Sequence, residues 1–297
     1  MREEKSAQMS GASVLYDAPG PRARVRNMIT AALTVLVFAA ILGWVIWKFA
    51  AADQFTAAKW EPFLTANLWK NYVLEGVQGT LTAAALSIVL ALVLGCVLGV
   101  GRLSPVGWIS WTCATVVEFF RAVPVLIMML FAYALFAEYD VFPSKQLALA
   151  GVVTGLTLYN GAVIAEIVRT GVHALPRGQA EASSALGLTW LQTMRSILLP
   201  QAITSMLPVL VSQMVVVLKD TAIGYQITFI EMVRQGTSVG TSYGNLIPAL
   251  LVIALLMISL NFGLSWFATW LEARLRRSKK GPEPVTPKEF VQDGSAV

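Results

Sequence analysis

An all-α integral membrane protein with six transmembrane helices is the fold class this sequence predicts, and three observations predict it. Only 13% of residues are charged and 56% are hydrophobic, whereas soluble domains carry about 25% charged residues. Five apolar runs reach the roughly 20 residues a helix needs to cross a bilayer, and a sixth comes close. Basic residues flank the outermost runs: Arg22, Arg24 and Arg26 precede the first, and Arg274, Arg276, Arg277, Lys279 and Lys280 follow the last. Lys and Arg beside a span mark the cytoplasmic side. An even number of crossings then places both termini in the cytoplasm and the chain, multi-pass, in the cell membrane. Both clusters abut apolar helices, which argues against nucleic acid as a partner and for membrane lipid.

Residues 1–26, with mixed charges, Pro19 and Pro21, are expected to form a cytoplasmic tail without stable structure. The first span, "MITAALTVLVFAAILGWVIWKF", carries Trp44, Trp47 and Lys48 at its outer end, where such residues anchor a helix in the interface. It begins behind a polar lead without a small-residue cleavage site, so it reads as a retained span. An amphipathic outer segment completes an additional region, 27–73. The second span, about 74–101, returns inward. Its Gly95, Gly99 and Gly101 allow close backbone approach in lipid. It ends at "GRLSP", with Arg102 on the basic side.

The run from about 107 to 137 is too long for one straight crossing: at 1.5 Å per residue it would span about 46 Å. Pro124 removes a backbone donor and crowds the preceding turn, so a bend is expected there. A short outer loop leads to a span at about 147–168. Residues 169–196 follow on the inner side with Arg169, Arg177 and Arg195. Spans at about 198–219 and 246–270 are separated by an outer segment, 220–244. Residues 273–297 are expected to form a basic, disordered cytoplasmic tail.

The inner segment "GQAEASSALGL", 178–188, holds one acid among the smallest residues. Pro176 suits a helix start, and Glu181 meets the positive end of the helix dipole. Gly187 fits a left-handed helix terminus. Thr189 and Gln192 have capping-box spacing for a second helix. The result is a slim helix–turn–helix elbow able to enter a groove in another protein.

Glu181-Ala182-Ser183, Gly187 and Ile197-Leu198-Leu199-Pro200 resemble the coupling loop of ABC-type importer permeases, where Glu-Ala-Ala, Gly and Ile-Leu-Pro stand at similar spacing. "EFFRAVPVLIMMLF", "AEIVRTGVHALPRGQAEASSALGL" and "ILLPQAITSMLPVLVSQMVVVLKDTAIGY" are similar to the polar amino acid subgroup, over about residues 74–272. The sequence departs from the pattern at Ser183, at Ser212, where asparagine is frequent, and at Ala222, where serine is.

The resemblance implies a five-helix permease core at 74–272 plus one extra N-terminal helix. It implies coupling through Gln179, Glu181, Ala182, Ser183 and Gly187 to ATP-binding cassette ATPase subunits. A second permease subunit, an extracytoplasmic substrate-binding protein and an amino acid substrate, glutamate first, are implied as well. No G-x-x-x-x-G-K-[ST] loop is present, so ATP falls to the partner and no cofactor to this chain. No nucleophile–base set stands out, so no enzymatic activity and no catalytic residue is expected. His173 has no companion at metal-ligand spacing, and no metal site is expected.

Charges inside apolar runs are costly and usually face a partner or a wet cavity. Glu118 and Arg121, at i and i+3, suit either an internal pair or a guanidinium facing the substrate path. Ser212, Gln213, Lys219, Asp220 and Thr221 could hold the charged groups of an amino acid, with Lys219–Asp220 equally able to act as an interfacial anchor. Glu166 and Arg169 read as a structural pair or gate contact. A permease for another small substrate and an ion-gradient-driven secondary transporter are the competing readings. The latter would need no elbow and no ATPase.

Overall fold

The computed structural model describes residues 20–277, and every regular element among them is helical. Contacts divide the chain into one unit up to Lys59 and a second from Trp60. In the first unit, helix α1 (Pro21–Ala51) buries no residue, so its apolar surface is free for lipid. Lys48 lies 5.9 Å and 5.0 Å from the rings of Trp44 and Trp47, an interfacial anchor held by cation–π attraction. The helix starts earlier than the expected tail boundary at residue 26. Pro21, at a first-turn position where its missing N–H costs nothing, begins it and draws Arg22, Arg24 and Arg26 into helix. The rest of the expected tail, 1–19, lies outside the described residues.

In the second unit, short turns over Glu61–Leu64, Ala66–Leu68 and Trp69–Val73 run into α2 (Leu74–Arg102). The expected outer amphipathic segment does not simply lie on the membrane. Leu68 is fully buried with Val73, Val239 and Ala249. Then follow α3 (Gly107–Ala122), α4 (Val125–Glu138) and α5 (Ser144–His173). After these come α6 (Gly178–Ala185), α7 (Leu199–Asp220), α8 (Met232–Ser242) and α9 (Leu246–Arg277). Helix α9 continues through residues 273–277, expected as tail. Its "LEARLRR" end is rich in good helix formers. Lys279 and Lys280 lie outside the described residues.

Among the described residues five helices are long and apolar enough to cross a membrane, and α3 with α4 makes a sixth crossing when counted as one broken span. The break at Pro124 is sharper than a kink, with the two axes 100° apart. Val123 is extended at φ −83°, ψ 129°, the conformation the following proline ring imposes, so no helical bond crosses it.

Helix α5 is the central element, touching α2, α3, α4 and α7. Gly95 packs on Gly161 and Ile164, and Gly99 on Ala165 and Val168, so α2 and α5 run parallel. A Cβ on Gly95 would come within 2.5 Å of Ile164, which is why this contact admits only glycine. Met129 against Gly155 and Tyr133 against Gly151 make α4 antiparallel to α5. Gln213 against Asn160 and Met206 against Gly171 do the same for α7. Arg102 and His173, the last residues of α2 and α5, thus share one end of the bundle with α6. We call this the elbow end. At the far end, residues 221–245 fold back over α2.

Candidate functional site

The elbow is built almost entirely from local bonds. The N–H groups of Gln179 and Ala180 donate to the carbonyls of Pro176 and Arg177 at 3.0 and 3.1 Å, starting α6. At its other end Gly187 adopts φ +73°. The Gly187 N–H donates to the Ser184 carbonyl at 3.0 Å and the Leu188 N–H to the Ser183 carbonyl at 3.1 Å. This crossed pair is a Schellman terminus, and it satisfies carbonyls the helix would otherwise leave open. The expected capping box then opens the second arm: the Thr189 N–H donates to Gln192 Oε1 at 2.8 Å, and the Gln192 N–H returns to Thr189 Oγ1. The turn Trp190–Thr193 passes through a π-helical turn, Met194–Leu198, directly into α7. The second arm is thus continuous with α7, while a short turn at 174–177 joins α6 to α5.

Glu181, Ala182, Gln179 and Gly187 are exposed, and Leu186 and Leu191 add apolar surface at 79% and 62% exposure. Ser183 departs from the expected docking set. It is 1% exposed and donates to the Gln179 carbonyl at 2.7 Å, so it packs the elbow against the bundle. A short helix has one inward face, and Ser183 occupies it. Behind α6 lies a cavity of about 490 Å³, bordered by His173, Pro176, Ala180, Ser184 and Trp190. A side-chain bond from Gln201 to Gln179 at 3.4 Å ties α6 to the start of α7.

Just inside the elbow end, three helices meet through charges. Arg102 donates to Glu166 at 2.6 Å and to Glu118 at 3.2 Å. Glu166 also accepts from Arg169 at 2.5 Å. The expected pair of Arg121 with Glu118 exists but is long, at 3.8 Å. Glu118 and Arg121 thus do not stand as an isolated intramembrane pair; Glu118 is held more closely by Arg102. The Glu166–Arg169 pair is present as expected.

The residues expected along a substrate path do not form one cluster. Gln213 donates to Oδ1 of the fully buried Asn160 at 2.7 Å, within the α5–α7 contact. Ser212 is exposed and donates to the Pro208 carbonyl at 2.9 Å. With Lys219 and Thr269 it borders an open cavity of about 460 Å³ between α7 and α9. Lys219 is exposed and Asp220 half-buried, because adjacent helix positions point apart. Thr221 is fully buried and donates to the Leu218 carbonyl at 2.7 Å.

Sequence reading missed three polar groups. Arg102, read only as a flank, is the hub of the charge network. Asn160 was detectable as a lone amide in an apolar span. Glu231, 0% exposed, caps α8 by accepting from the N–H groups of Val233 and Arg234 at 2.8 and 2.7 Å. Burial pushes its carboxyl up to about 7, against those two backbone bonds and the Arg234 charge, which pull it down. Beside it Thr80 accepts from the Met232 N–H at 3.2 Å, and Gln235 donates to Glu75 at 2.6 Å. No group of three or more metal-ligating side chains occurs among the described residues.

Residues 91–277 match the family described as binding-protein-dependent transport system inner membrane component. The glutamate transport system permease protein GluD of Corynebacterium glutamicum is 51% identical over 80% of this chain and 87% of its own length. The glutamate/aspartate import permease protein GltK of Escherichia coli is 27% identical over 68% of this chain and 93% of its own. A solved amino acid ABC transporter described as bearing histidines superposes with TM-score 0.61 at 27% identity, covering 68% of this chain and 92% of that one. An elbow of this construction on a bundle of this topology, matched along most of its length, places the chain in the family of binding-protein-dependent transport-system inner-membrane permeases.

Proposed function

We propose that this chain is the membrane-spanning subunit of an ATP-driven importer for an amino acid, with glutamate as the leading substrate. The observation that carries the coupling role is the elbow: a short, rigidly terminated helix whose outer face is left open, joined to α5 by a four-residue turn and continuous through its second arm with α7. The relative that is 51% identical, a glutamate permease, supports the substrate.

In this reading the elbow end is cytoplasmic, as are both termini. Gln179, Glu181 and Ala182 enter a cleft in a separate ATPase subunit, while Gly187 fixes the turn that aims them. ATP binding closes the ATPase subunits and moves the elbow; α7, continuous with the second arm, follows directly, and α5 follows through the short turn at 174–177. A second permease subunit, of the same or a related sequence, completes the pathway, and an extracytoplasmic binding protein delivers the substrate. Net import requires ATP and substrate each to favour different forms of the bundle. Arg121 and Glu118, near the elbow end, and Ser212, Gln213, Lys219, Asp220 and Thr221 along α7 are the residues proposed for the substrate path. Ser212 and Lys219, open to the cavity beside α9, are the best placed of these for direct contact.

Reconstitution into liposomes with candidate ATPase and binding-protein subunits tests the reading. Uptake of L-glutamate that needs ATP and all the partners is expected. Uptake by this chain alone under an ion gradient would overturn it.

A further inference from the structure

Arg102 has a role that neither the elbow nor the pathway residues fill. It ends α2, is only 12% exposed, and presents its two terminal nitrogens to carboxylates on two different helices, Glu166 of α5 and Glu118 of α3. A planar guanidinium can serve two acceptors at once, which a lysine point charge cannot do with the same geometry. The contact is reinforced by Ser110 of α3, which donates to the Arg102 carbonyl at 2.8 Å, and by Val117, fully buried against Ala162, Ala165 and Leu98. Glu166 lies two turns before α5 gives way to the elbow, about 10 Å along the axis.

Glu118 stands between two guanidinium groups. Arg102 holds it at 3.2 Å, and Arg121, on its own helix, waits at 3.8 Å. Helix α3 is joined to α4 only through the extended Val123 and Pro124, so it can pivot there without bending a continuous helix. A small pivot moves Glu118 away from Arg102 while Arg121 travels with it. A charge in this setting needs a partner throughout, and Arg121 supplies one for Glu118 after it leaves Arg102.

On the permease reading above, we propose that Arg102 is a positioning residue of transport. It makes α2 follow the elbow-driven movement of α5 through Glu166, while Glu118 passes from Arg102 to Arg121 as α3 pivots at Pro124. The network is thus a latch for the transport cycle, and Arg121 acts as its second holding point.

The test uses the assembled importer in proteoliposomes, with L-glutamate as the probe, and reads uptake and ATP hydrolysis on the same vesicles. Glutamate-dependent uptake by the wild type establishes the permease reading first; its absence would count against that reading rather than against the latch. Arg102→Gln is expected to lower uptake about tenfold while hydrolysis continues, so that glutamate moved per ATP falls. Arg102→Lys should recover part of this. The exchange Arg102→Glu with Glu166→Arg should recover more than either single reversal.

Glu118→Gln, at a 61% exposed side chain, keeps the fold in place should Arg102→Gln fail to assemble. It is expected to lower glutamate per ATP about threefold. Arg121→Gln should lower the same ratio without raising KM for glutamate. Wild-type glutamate per ATP in Glu118→Gln, or a loss of uptake and hydrolysis in equal proportion, would overturn the latch. A raised KM with an unchanged ratio in Arg121→Gln would assign Arg121 to substrate binding instead.

Discussion

The two ends of the bundle are organised on opposite principles. At the elbow end, α6 buries only Ser183 and is shaped by bonds among near neighbours in sequence. At the far end, α8 buries Met232, Gln235, Gly236, Val239 and Gly240 and is fastened to α2, more than a hundred and fifty residues away in sequence. On the proposed coupling role, a helix that receives force from another protein keeps its outer face free and its termini stiff. Helix α8 is instead absorbed into the core. Leu186 and Leu191 add exposed apolar surface to the elbow that carries Glu181. Glu231, by contrast, is complete within the chain.

The largest effect is expected at the elbow. Gly187→Pro, or Glu181→Arg, should abolish ATP-driven uptake while the protein still inserts into the membrane. Position 187 needs a positive φ, which proline cannot adopt. Full uptake in either variant would erase the distinction between the two ends.

Next in size is a pH effect confined to the far end. The Glu231 carboxyl is held near 7, above the ordinary value of 4.5 that it regains on unfolding. Stability from this group is therefore complete below about 4.5 and is lost as pH rises towards 7, by up to about 3 kcal/mol. Amide exchange of residues 231–242 should be faster at pH 7.5 than at pH 5 after correction for intrinsic rates, and Glu231→Gln should flatten the difference. The same dependence at the elbow would show that the effect is global.

A smaller loss is expected for Thr80→Val. It leaves the buried Met232 N–H without its acceptor, at about 1–3 kcal/mol. Thermal unfolding in detergent should register it while ATPase capture stays normal. Least of all, Ser184→Ala at the exposed elbow surface should change stability by under about 0.5 kcal/mol. A large fall in unfolding temperature there would mean that α6 is as integral to the fold as α8.

Much of the elbow was legible beforehand because its signals are local. Gly187 and the Thr189–Gln192 spacing each act over at most a few residues and appear where expected, whereas Pro176 stands just before the N-cap Arg177 rather than at the first helical position. The close glycine approach on α2 was legible too, since only small residues let backbones meet in lipid. The inward face of Ser183 was not, because helix phase relative to the bundle depends on packing. The same holds for the substrate-path residues on α7. Sequence proximity suggested a cluster, but the helix turns Gln213 to Asn160, Ser212 to a cavity and Thr221 into the core. The helical entry at Pro21 and the exit through Arg277 were underestimated because charge was read as disorder.

By itself, the sequence determined that the chain lives in a membrane, how many apolar lengths it has and where a stiff elbow interrupts them. Those properties follow from hydrophobicity and short-range backbone chemistry, which act within a few turns. Only the tertiary structure decided that Arg102, Glu118 and Glu166 meet, that Asn160 answers Gln213, and that Glu231 is sealed against α2. Such contacts join residues far apart in the chain, so they exist only once the helices have chosen their neighbours and their rotation.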